Sequence, residues 1–393
     1  MPQPEPTPLR VLLTGGGTAG SVTPLFAIAE RIKKEYPSAE FLFVGTEYGI
    51  EKQMAADEGF RYRSVSSGKL RRYFDFKNVR EPWNVLRGFL SSLSIMVEFK
   101  PTIILSAGSF VSVPVVWAGW FHNVPIIIHQ LDVRRGFANR LLTRFAGRIT
   151  VTFEKSRHDF PLKKTVWTGN PIREQMTSAT RKSGQARFQL DEDVPTVLIV
   201  GGGTGALAIN HIVDQALPEL TKTCQVIHVA GKGKNIFQRQ ELAKGFQPQY
   251  HELIGEEKDD SLSRKVNYDR YHVIEFLTDE IGDAMAAADL VVTRAGLGTL
   301  TELAALRKPA LIIPLPDSHQ EENAAYFASR GAAITLSQKT LTPEILTNHI
   351  LQLLNNPKKL KDLSLAIQDM TRRDASSRFL QVFNEVLESS PTQ

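Results

Sequence analysis

Short apolar runs recur along the chain, and amphipathic stretches separate them. Runs of this kind, rich in β-branched residues, are typical of strands that a parallel sheet buries on both faces. Their alternation with helical stretches predicts an α/β fold, in which ligands bind beyond the carboxyl ends of the strands. The predicted strands are residues 11–14, 41–44, 103–106, 126–129 and 149–153 in the first half, and 197–200, 226–230, 273–276, 290–293, 310–314 and 333–336 in the second.

One strand–turn–helix pattern occurs in each half of the chain. Residues 10–14 lead into the glycine-rich turn 15–20, and residues 196–200 lead into the glycine-rich turn 201–206. Glycine permits positive φ and close approach of a ligand, and the helix that follows directs its free N–H groups at an anion. Two such units predict two similar α/β domains that face a cleft.

The domain boundary is predicted near Gly169-Asn170-Pro171, because a polar and basic segment follows it before the second unit begins. This gives domains of residues 9–171 and 172–367. The apolar positions of the final helical stretch, about residues 368–388, favour its return to the first domain.

Composition narrows the class of protein. A chain of 393 residues, 42% hydrophobic and 23% charged, fits two soluble globular domains. A single cysteine, Cys224, excludes an intramolecular disulfide and fits a reducing compartment. The net charge of +5 favours an anionic membrane surface or a phosphorylated ligand. Without zinc spacing, RNA-binding signatures or a carboxylate pair suited to Mg²⁺, we expect neither a nucleic-acid partner nor a metal.

The second half holds the stronger chemical pattern. Residues 293–302, TRAGLGTLTE, turn from a strand into a helix that carries Glu302 near its start. Such a carboxylate either complements the helix dipole or accepts two vicinal ribose hydroxyls. After the next strand, Asn323 follows His319 by one helical turn, so both can point into the cleft. The alternative for Gln320 and Asn323 is that they are surface helix residues. Neither glycine-rich turn has the full dinucleotide spacing, which disfavours a redox enzyme.

The ordered set GGGTAGSVTP, SAGSFVSVP, TGNPIRE, GGGTGA, TRAGLGTLTE and DSHQEENA resembles the bacterial MurG family. This resemblance covers about residues 9–387. It implies the GT-B fold of two Rossmann-like domains, and transfer of N-acetylglucosamine from UDP-N-acetylglucosamine to lipid-linked N-acetylmuramyl-pentapeptide in peptidoglycan synthesis. It also implies a location on the cytoplasmic face of the plasma membrane and no required metal or other cofactor.

The resemblance assigns roles to individual residues. Glu302 would bind the ribose, Arg173 would meet a phosphate, and the backbone of Phe276 and Leu277 would pair with uracil. The other residues that it places around the donor are Gly17, Thr18, Ala19, Gly20, Gly202, Gly203, Thr204, Leu297, Gly298, Thr299, Gln320 and Asn323. The residues expected on the acceptor side are Ser21, Gly108, Ser109 and Phe110.

The first half departs from the family pattern where the acceptor hydroxyl is handled. Ser21 replaces a histidine that usually ends the first loop, and His129-Gln130-Leu131-Asp132 replaces His-Glu-Gln-Asn. Because a serine is no base at neutral pH, we expect His129 to accept the proton and Asp132 to orient the acceptor or the imidazole. The alternative for His129 is a hydrogen-bonded structural imidazole.

Aromatic and basic side chains alternate between Gly68 and Phe99, which is typical of an interfacial membrane anchor. The alternative is ordinary core packing of an amphipathic helix. Two other functions remain open: a UDP-N-acetylglucosamine 2-epimerase, which needs no such surface, and a non-catalytic nucleotide-sugar-binding protein. The residues of this predicted anchor are Leu70, Tyr73, Phe74, Phe76, Trp83, Leu86, Phe89 and Leu90 with Lys69, Arg71, Arg72, Lys77, Arg80 and Arg87, joined by Trp117, Trp120 and Phe121.

Overall fold

The chain folds into two compact α/β units. A computed structural model describes residues 8–17, 19–68, 81–202, 206–231, 266–278 and 280–389. The first unit extends to Arg173 and resumes at Thr371, and the second is Glu174–Met370. The chain therefore changes unit two residues after the predicted first boundary and three residues after the second.

The sheet of the first unit has seven parallel strands in the order β3-β2-β1-β4-β5-β6-β7. Its apolar strands coincide with predicted runs, whereas two short strands at the sheet edges were not predicted. The edge strand β3 consists of Arg-Tyr-Arg-Ser and is mostly exposed, so it has no apolar run to recognise. The strands are β1 Arg10–Thr14, β2 Glu40–Gly45, β3 Arg61–Ser64, β4 Ile103–Ser106, β5 Ile126–Gln130, β6 Arg148–Val151 and β7 Thr165–Trp167.

Helices cover both faces of this sheet. Their bounds are α1 Ala19–Glu35, α2 Ile50–Asp57, α3 Glu81–Phe99, α4 Ser112–Phe121, α5 Phe137–Leu142 and α14 Ala375–Glu388. The apolar side of α1 packs on one face with α14, burying Leu25, Ile28, Phe379 and Phe383. Helices α3, α4 and α5 cover the other face. The Asn384 amide joins α14 to the end of α1, because its Nδ2 donates to the Glu35 carboxylate at 2.9 Å.

The sheet of the second unit has six parallel strands in the order β10-β9-β8-β11-β12-β13. The apolar strand predicted at residues 273–276 begins two residues earlier, so Phe276 lies beyond its end. The strands are β8 Thr196–Val200, β9 Gln225–Val229, β10 Tyr271–Ile274, β11 Leu290–Thr293, β12 Ala310–Ile312 and β13 Ile334–Thr335.

Eight α-helices with described bounds surround this second sheet. Helices α8 and α12 bury their apolar sides against one face, around Val213, Leu217, Leu346 and Ile350. The bounds are α6 Glu174–Ser178, α7 Arg181–Phe188, α8 Leu207–Thr223, α9 Ile281–Ala287, α10 Leu297–Ala305, α11 His319–Ala328, α12 Pro343–Leu354 and α13 Pro357–Gln368.

Each sheet has one place where the strand order reverses. In the first unit it lies between β1 and β4, and in the second between β8 and β11. The crevice outside the carboxyl ends of such strands is the usual ligand site of an open α/β sheet. The glycine-rich loops after β1 and β8 and the TRAGLG turn after β11 all begin at these switch points.

Candidate functional site

Two loops meet at the switch point of the first unit. The Ala107 N–H donates to the Thr14 carbonyl at 3.1 Å, and a Cβ built on Gly17 would lie 4.0 Å from the Ser109 Oγ. Gly17 has φ +89° and Gly108 has φ +83°, a conformation that side chains rarely adopt. The structure thus brings the first glycine-rich loop beside the predicted acceptor loop.

The first loop shares its unit with the predicted acceptor residues. Gly17, Ala19 and Gly20, which are expected around the donor, lie in the first unit together with the residues expected on the acceptor side. The Ser21 hydroxyl donates to the Gly16 carbonyl at 3.1 Å, so it supports the loop. Thr18 lies outside the described residues.

The acceptor loop after β4 has a strained backbone. Ser109 adopts φ +80° although it is not glycine, and strain of this kind is concentrated at functional sites. A Cβ on Gly108 would stand 2.7 Å from the Asn139 Oδ1, so only glycine fits. The ring of Phe110 lies 6.3 Å from that of Phe137, whose side chain is half exposed.

His129 lies buried inside β5 and is hydrogen-bonded through both ring nitrogens. Its side chain is 1% exposed within β5, with Nδ1 2.9 Å from the Thr150 hydroxyl and Nε2 3.2 Å from the Asn170 Oδ1. Burial lowers its pKa to about 4, and the Asn170 hydrogen bond raises it only in part. A neutral imidazole that accepts from Thr150 and donates to Asn170 satisfies this site. Of the two alternatives for His129, these contacts favour the structural imidazole.

Asp132 reaches the ligand side of the sheet. It lies two residues beyond β5 and is half-buried. The Gln130 Nε2 donates to the carbonyls of Asp132 and Arg134, both at 2.9 Å, and its Oε1 accepts from the Asn139 Nδ2 at 2.7 Å. This amide network fixes the turn that carries the Asp132 carboxylate.

The donor residues of the second unit surround the N-terminus of α10. Its N-cap, Gly296, provides no side-chain acceptor, so the first N–H groups of the helix have no cap from that residue. Leu297 and Gly298 are buried and Thr299 is half-buried. Glu302 is half-buried one turn after Gly298, on the same side of the helix. The arrangement offers helix N–H groups to an anion and a carboxylate to hydroxyl donors.

Two polar residues of α11 position these loops. Asn323 was expected to contact the donor, yet it is 1% exposed and its Nδ2 donates to the Ala295 carbonyl at 3.1 Å. The Gln320 Oε1 accepts from the Leu315 N–H at 3.1 Å, while its side chain remains half-buried. Spacing of i, i+3 shows that two residues share a helix face, but not whether that face is buried. The sequence therefore did not reveal whether Gln320 and Asn323 contact the ligand or hold the neighbouring loops in place.

The remaining donor residues of the second unit lie at the ligand edge. Phe276 is 41% exposed and Leu277 half-buried, both just after β10. Gly202 has φ +89°, with no atom within 4 Å of its would-be Cβ. Gly203 and Thr204 lie outside the described residues.

Arg173 belongs to the first unit rather than the predicted donor domain. Its guanidinium donates to the Glu58 carboxylate at 3.1 Å. A phosphate that binds this guanidinium would have to compete with the Glu58 carboxylate. The sequence did not predict the contact between Arg173 and Glu58.

Two supporting residues escaped the sequence analysis. Arg294 is 8% exposed and donates to the carbonyls of Ile313 and Pro314, both at 3.1 Å, which ties the turn after β11 to the segment after β12. Glu51 is fully buried beneath the first glycine-rich loop. The only available signals were an arginine within TRAGLG and a glutamate shortly after a strand, and both are common at exposed positions.

An exposed apolar stripe runs along α3. Trp83, Leu86, Leu90 and Val97 follow helical spacing and are 45–68% exposed, and Arg87 beside them is also exposed. At the end of α4, Trp120 and Phe121 are exposed as well, whereas Trp117 and Phe89 pack against the core. Core packing therefore does not explain the stripe. The predicted anchor residues 69–80 lie outside the described residues.

Within the described ranges, no group of three or more His, Cys, Asp or Glu side chains is arranged to hold a metal ion. No helix in this part of the chain has both the length and the apolar character needed to cross a bilayer.

Comparison with known proteins identifies the family. The glycosyltransferase family 28 N-terminal domain matches residues 11–151, and the family 28 C-terminal domain matches residues 196–379. The chain is 34% identical over 380 residues to the UDP-N-acetylglucosamine–N-acetylmuramyl-(pentapeptide) pyrophosphoryl-undecaprenol N-acetylglucosamine transferase 2 of Bacillus cereus, covering 96% of this chain and 99% of that one. The chain belongs to glycosyltransferase family 28. Within this family it is a MurG-type enzyme, 35% identical to the correspondingly named transferase of Clostridium kluyveri over 93% of this chain and 97% of that one.

Solved structures support the GT-B fold of this family 28 enzyme. MurG of Acinetobacter baumannii superimposes with a TM-score of 0.69 at 23% identity, over 96% of this chain and 100% of that one. The UDP-N-acetylglucosamine 2-epimerase of Neisseria meningitidis gives 0.65 at 15% identity, over 96% and 100% of the two chains. Because both classes share the fold, the fold alone does not separate transferase from epimerase, and the sequence relatives do.

Proposed function

We propose that the enzyme transfers N-acetylglucosamine from UDP-N-acetylglucosamine to lipid-linked N-acetylmuramyl-pentapeptide, with inversion at the anomeric carbon. The observation that carries this proposal is the pair of switch-point sites, one in each family 28 domain. The site in the second unit has the elements of a nucleotide-sugar site. The site in the first unit has two adjacent glycine-bearing loops, which would receive the acceptor.

The donor would bind at the carboxyl ends of β8, β10 and β11. Half-buried Glu302 would accept hydrogen bonds from the two ribose hydroxyls, and the backbone at Phe276 and Leu277 would pair with uracil. The diphosphate would lie at the N-terminus of α10, where the helix dipole favours negative charge. Gln320, Asn323 and Arg294 would keep the surrounding turns in place.

In the reaction, the acceptor hydroxyl oxygen attacks the anomeric carbon while the bond to the β-phosphate oxygen breaks. UDP leaves with the bonding electron pair, and the hydroxyl proton passes to a base. Asp132 is our candidate for that base, since its half-buried carboxylate lies at the carboxyl end of β5 in a turn that Gln130 fixes. Attack opposite the leaving group inverts the configuration.

Charge on the departing diphosphate would be stabilised by protein groups without a metal. Helix N–H groups that are fixed before the reaction act as preorganised donors toward developing charge. Transfer in the presence of EDTA supports this part of the proposal, and loss of transfer that Mg²⁺ or Mn²⁺ restores contradicts it.

The enzyme would act as a peripheral protein at the cytoplasmic face of the plasma membrane, where a lipid-linked acceptor is available. The exposed stripe of α3 supports this, because contiguous exposed apolar side chains mark interaction surfaces. Arg87 beside the stripe suits an anionic lipid surface.

One transfer assay tests the function. Labelled UDP-N-acetylglucosamine is incubated with the wild-type enzyme, with and without lipid-linked muramyl-pentapeptide in vesicles. We expect label in the lipid fraction only when the acceptor is present. Label in UDP-N-acetylmannosamine without acceptor would identify an epimerase, and tight donor binding without any product would identify a non-catalytic binding protein.

The same assay tests the base. Asp132→Asn should lower kcat by roughly 10²–10⁴, the usual contribution of a general base, with UDP affinity unchanged. Glu47→Gln is the matched control, because it neutralises an exposed carboxylate at the same sheet edge. An Asp132→Asn enzyme as active as the control would remove Asp132 from this role.

A further inference from the structure

A carboxylate lies enclosed beneath the first glycine-rich loop. Glu51, near the start of α2, is 0% exposed. Its Oε2 accepts from the Gly17 N–H at 3.3 Å, and its Oε1 accepts from the N–H and the hydroxyl of Thr46, at 2.9 and 2.5 Å. Carboxylates are almost never fully buried without such partners. Glu51 therefore links the loop after β1 to the turn after β2.

Three glycines make the space for this carboxylate. A Cβ on Gly16 would lie 2.5 Å from its Oε1, one on Gly45 would lie 2.8 Å from its Cγ, and one on Gly49 would lie 2.1 Å from its Oε2. Gly49 has φ −79° and ψ 156°, which any residue adopts. Its lack of a side chain thus serves the carboxylate and not the backbone conformation.

The carboxylate also changes what the loop can bind. A glycine-rich turn before a helix usually offers its N–H groups to a phosphate. Here the Gly17 N–H already donates to an internal anion, and a phosphate above the loop would face that negative charge at short range. The Ser21 hydroxyl also donates to the Gly16 carbonyl, so two hydrogen bonds hold the described part of the loop without a ligand.

We propose that Glu51 is a positioning residue that shapes the first glycine-rich loop to receive an uncharged, hydroxyl-bearing part of the acceptor, and that it turns the acceptor's phosphates away from this loop. The inference rests on the proposed function, because it takes the first unit as the acceptor site. It concerns which portion of the acceptor this loop recognises.

Two variants disturb the carboxylate in different ways. Glu51→Gln removes the charge, and its single amide oxygen cannot accept from both Gly17 and Thr46. Gly49→Ala keeps the charge and displaces the carboxylate by steric contact. Glu47→Gln is the matched control, since it removes an exposed charge from the same β2–α2 connection.

The deciding measurement is equilibrium binding of labelled lipid-linked muramyl-pentapeptide in detergent, with UDP affinity measured beside it. We expect both variants to weaken acceptor binding by roughly tenfold to a hundredfold, the range for a hydrogen bond to a charged group. Their UDP affinity should remain that of the wild type, and the double variant should bind no more weakly than the weaker single variant. If the loop held a phosphate, Glu51→Gln would instead tighten acceptor binding, and that result would overturn the proposal.

Hydrogen exchange separates this inference from the proposed function. Peptides that cover residues 12–26 should exchange faster in both variants than in the wild type and the control, while peptides of the second unit stay unchanged. Unaltered exchange in the loop would overturn the positioning role even if transfer is observed. If the variants exchange faster but the wild-type enzyme transfers no sugar, the proposed function is contradicted, whereas the contact between Glu51 and the loop is supported.

Discussion

At the scale of single residues, the sequence predicted the position of the TRAGLGTLTE motif, because an apolar strand leads directly into it. Glu302 and the Leu297–Thr299 turn lie where the sequence put them, at the start of α10. His129 was different: it is the fourth residue of β5, every residue of which is buried. The sequence does not show whether a polar residue at the end of a strand lies inside the strand or beyond it. The structure shows that His129 is buried inside β5, whereas Asp132 lies beyond its end and is half-buried.

Glu302 gives a residue-scale prediction. Glu302→Ala should weaken UDP binding by about 1.5–3 kcal/mol, since it removes hydrogen bonds to a charged acceptor. Titration calorimetry with UDP measures the change. The exposed Glu321→Ala is the matched control for loss of a carboxylate in the same unit. Equal affinities of the two folded variants would remove Glu302 from the nucleotide site.

At the scale of elements, the sequence predicted a helix after each glycine-rich turn but left open which apolar face a helix buries. Helix α3 has two apolar sides: Ile95, Met96 and Phe99 lie in the core, and the stripe that includes Trp83 and Leu90 faces outward. Because apolar residues occur on both sides of this helix, core packing and surface exposure were both consistent with its pattern. The edge strand β3 was missed for a different reason: it is polar and has no apolar run from which a strand could be predicted.

The exposed stripe leads to an element-scale prediction. Trp83→Ser with Leu90→Ser should reduce sedimentation with anionic vesicles, because these side chains supply apolar area to the lipid interface. UDP affinity should be unchanged. The control is Leu365→Ser, which removes a similarly exposed apolar side chain from α13 of the other unit. Undiminished sedimentation of the double variant would show that the stripe does not contact lipid.

At the scale of the whole molecule, the repeated glycine-rich pattern predicted two similar α/β units because each copy opens one parallel sheet. The pairing order of the strands and the exact points of crossover came only from the structure. Near the crossover, Gly169 packs closely against the returning segment: a Cβ there would lie 2.8 Å from the Arg372 Cβ and 3.1 Å from the Ala375 Cβ. The segment that leaves the first unit and the one that re-enters it are thus in contact, which apolar patterning does not reveal.

The two units should respond to acid through different groups. Burial lowers the pKa of His129 in the first unit and of His228 in the second to about 4. Between pH 6.5 and 4, these histidines bind protons in the unfolded chain but not in the native state. Each buried histidine therefore lowers the free energy of unfolding by about 1.4 kcal/mol for every pH unit of acidification in this range. In the second unit, burial also lowers the pKa of His272 and raises that of Asp214 to about 7. Because native Asp214 binds a proton at a higher pH than it does in the unfolded chain, its protonation raises the free energy of unfolding as pH falls, opposite to the effect of the histidines.

Calorimetric scans between pH 7 and 4.5, with limited proteolysis to assign each transition to a unit, check this. His129→Gln, which retains hydrogen-bonding groups for Thr150 and Asn170, should flatten the acid dependence of the first unit. Asp214→Asn should steepen that of the second. If His129→Gln leaves the pH dependence of the first unit unchanged, burial of its imidazole has no part in acid sensitivity.

The return of α14 to the first unit also sets an order of events during synthesis. Strands β1–β7 leave the ribosome first, yet the helix that completes one face of their sheet follows only after residues 174–370. At about 5–20 residues per second, the nascent first unit waits roughly 10–40 s for its last helix. The second unit, which is continuous in sequence, can close its core during that wait. The sheet face that α14 covers is therefore the apolar surface on which a chaperone would act during synthesis. The first unit is synthesised first but completes its fold last.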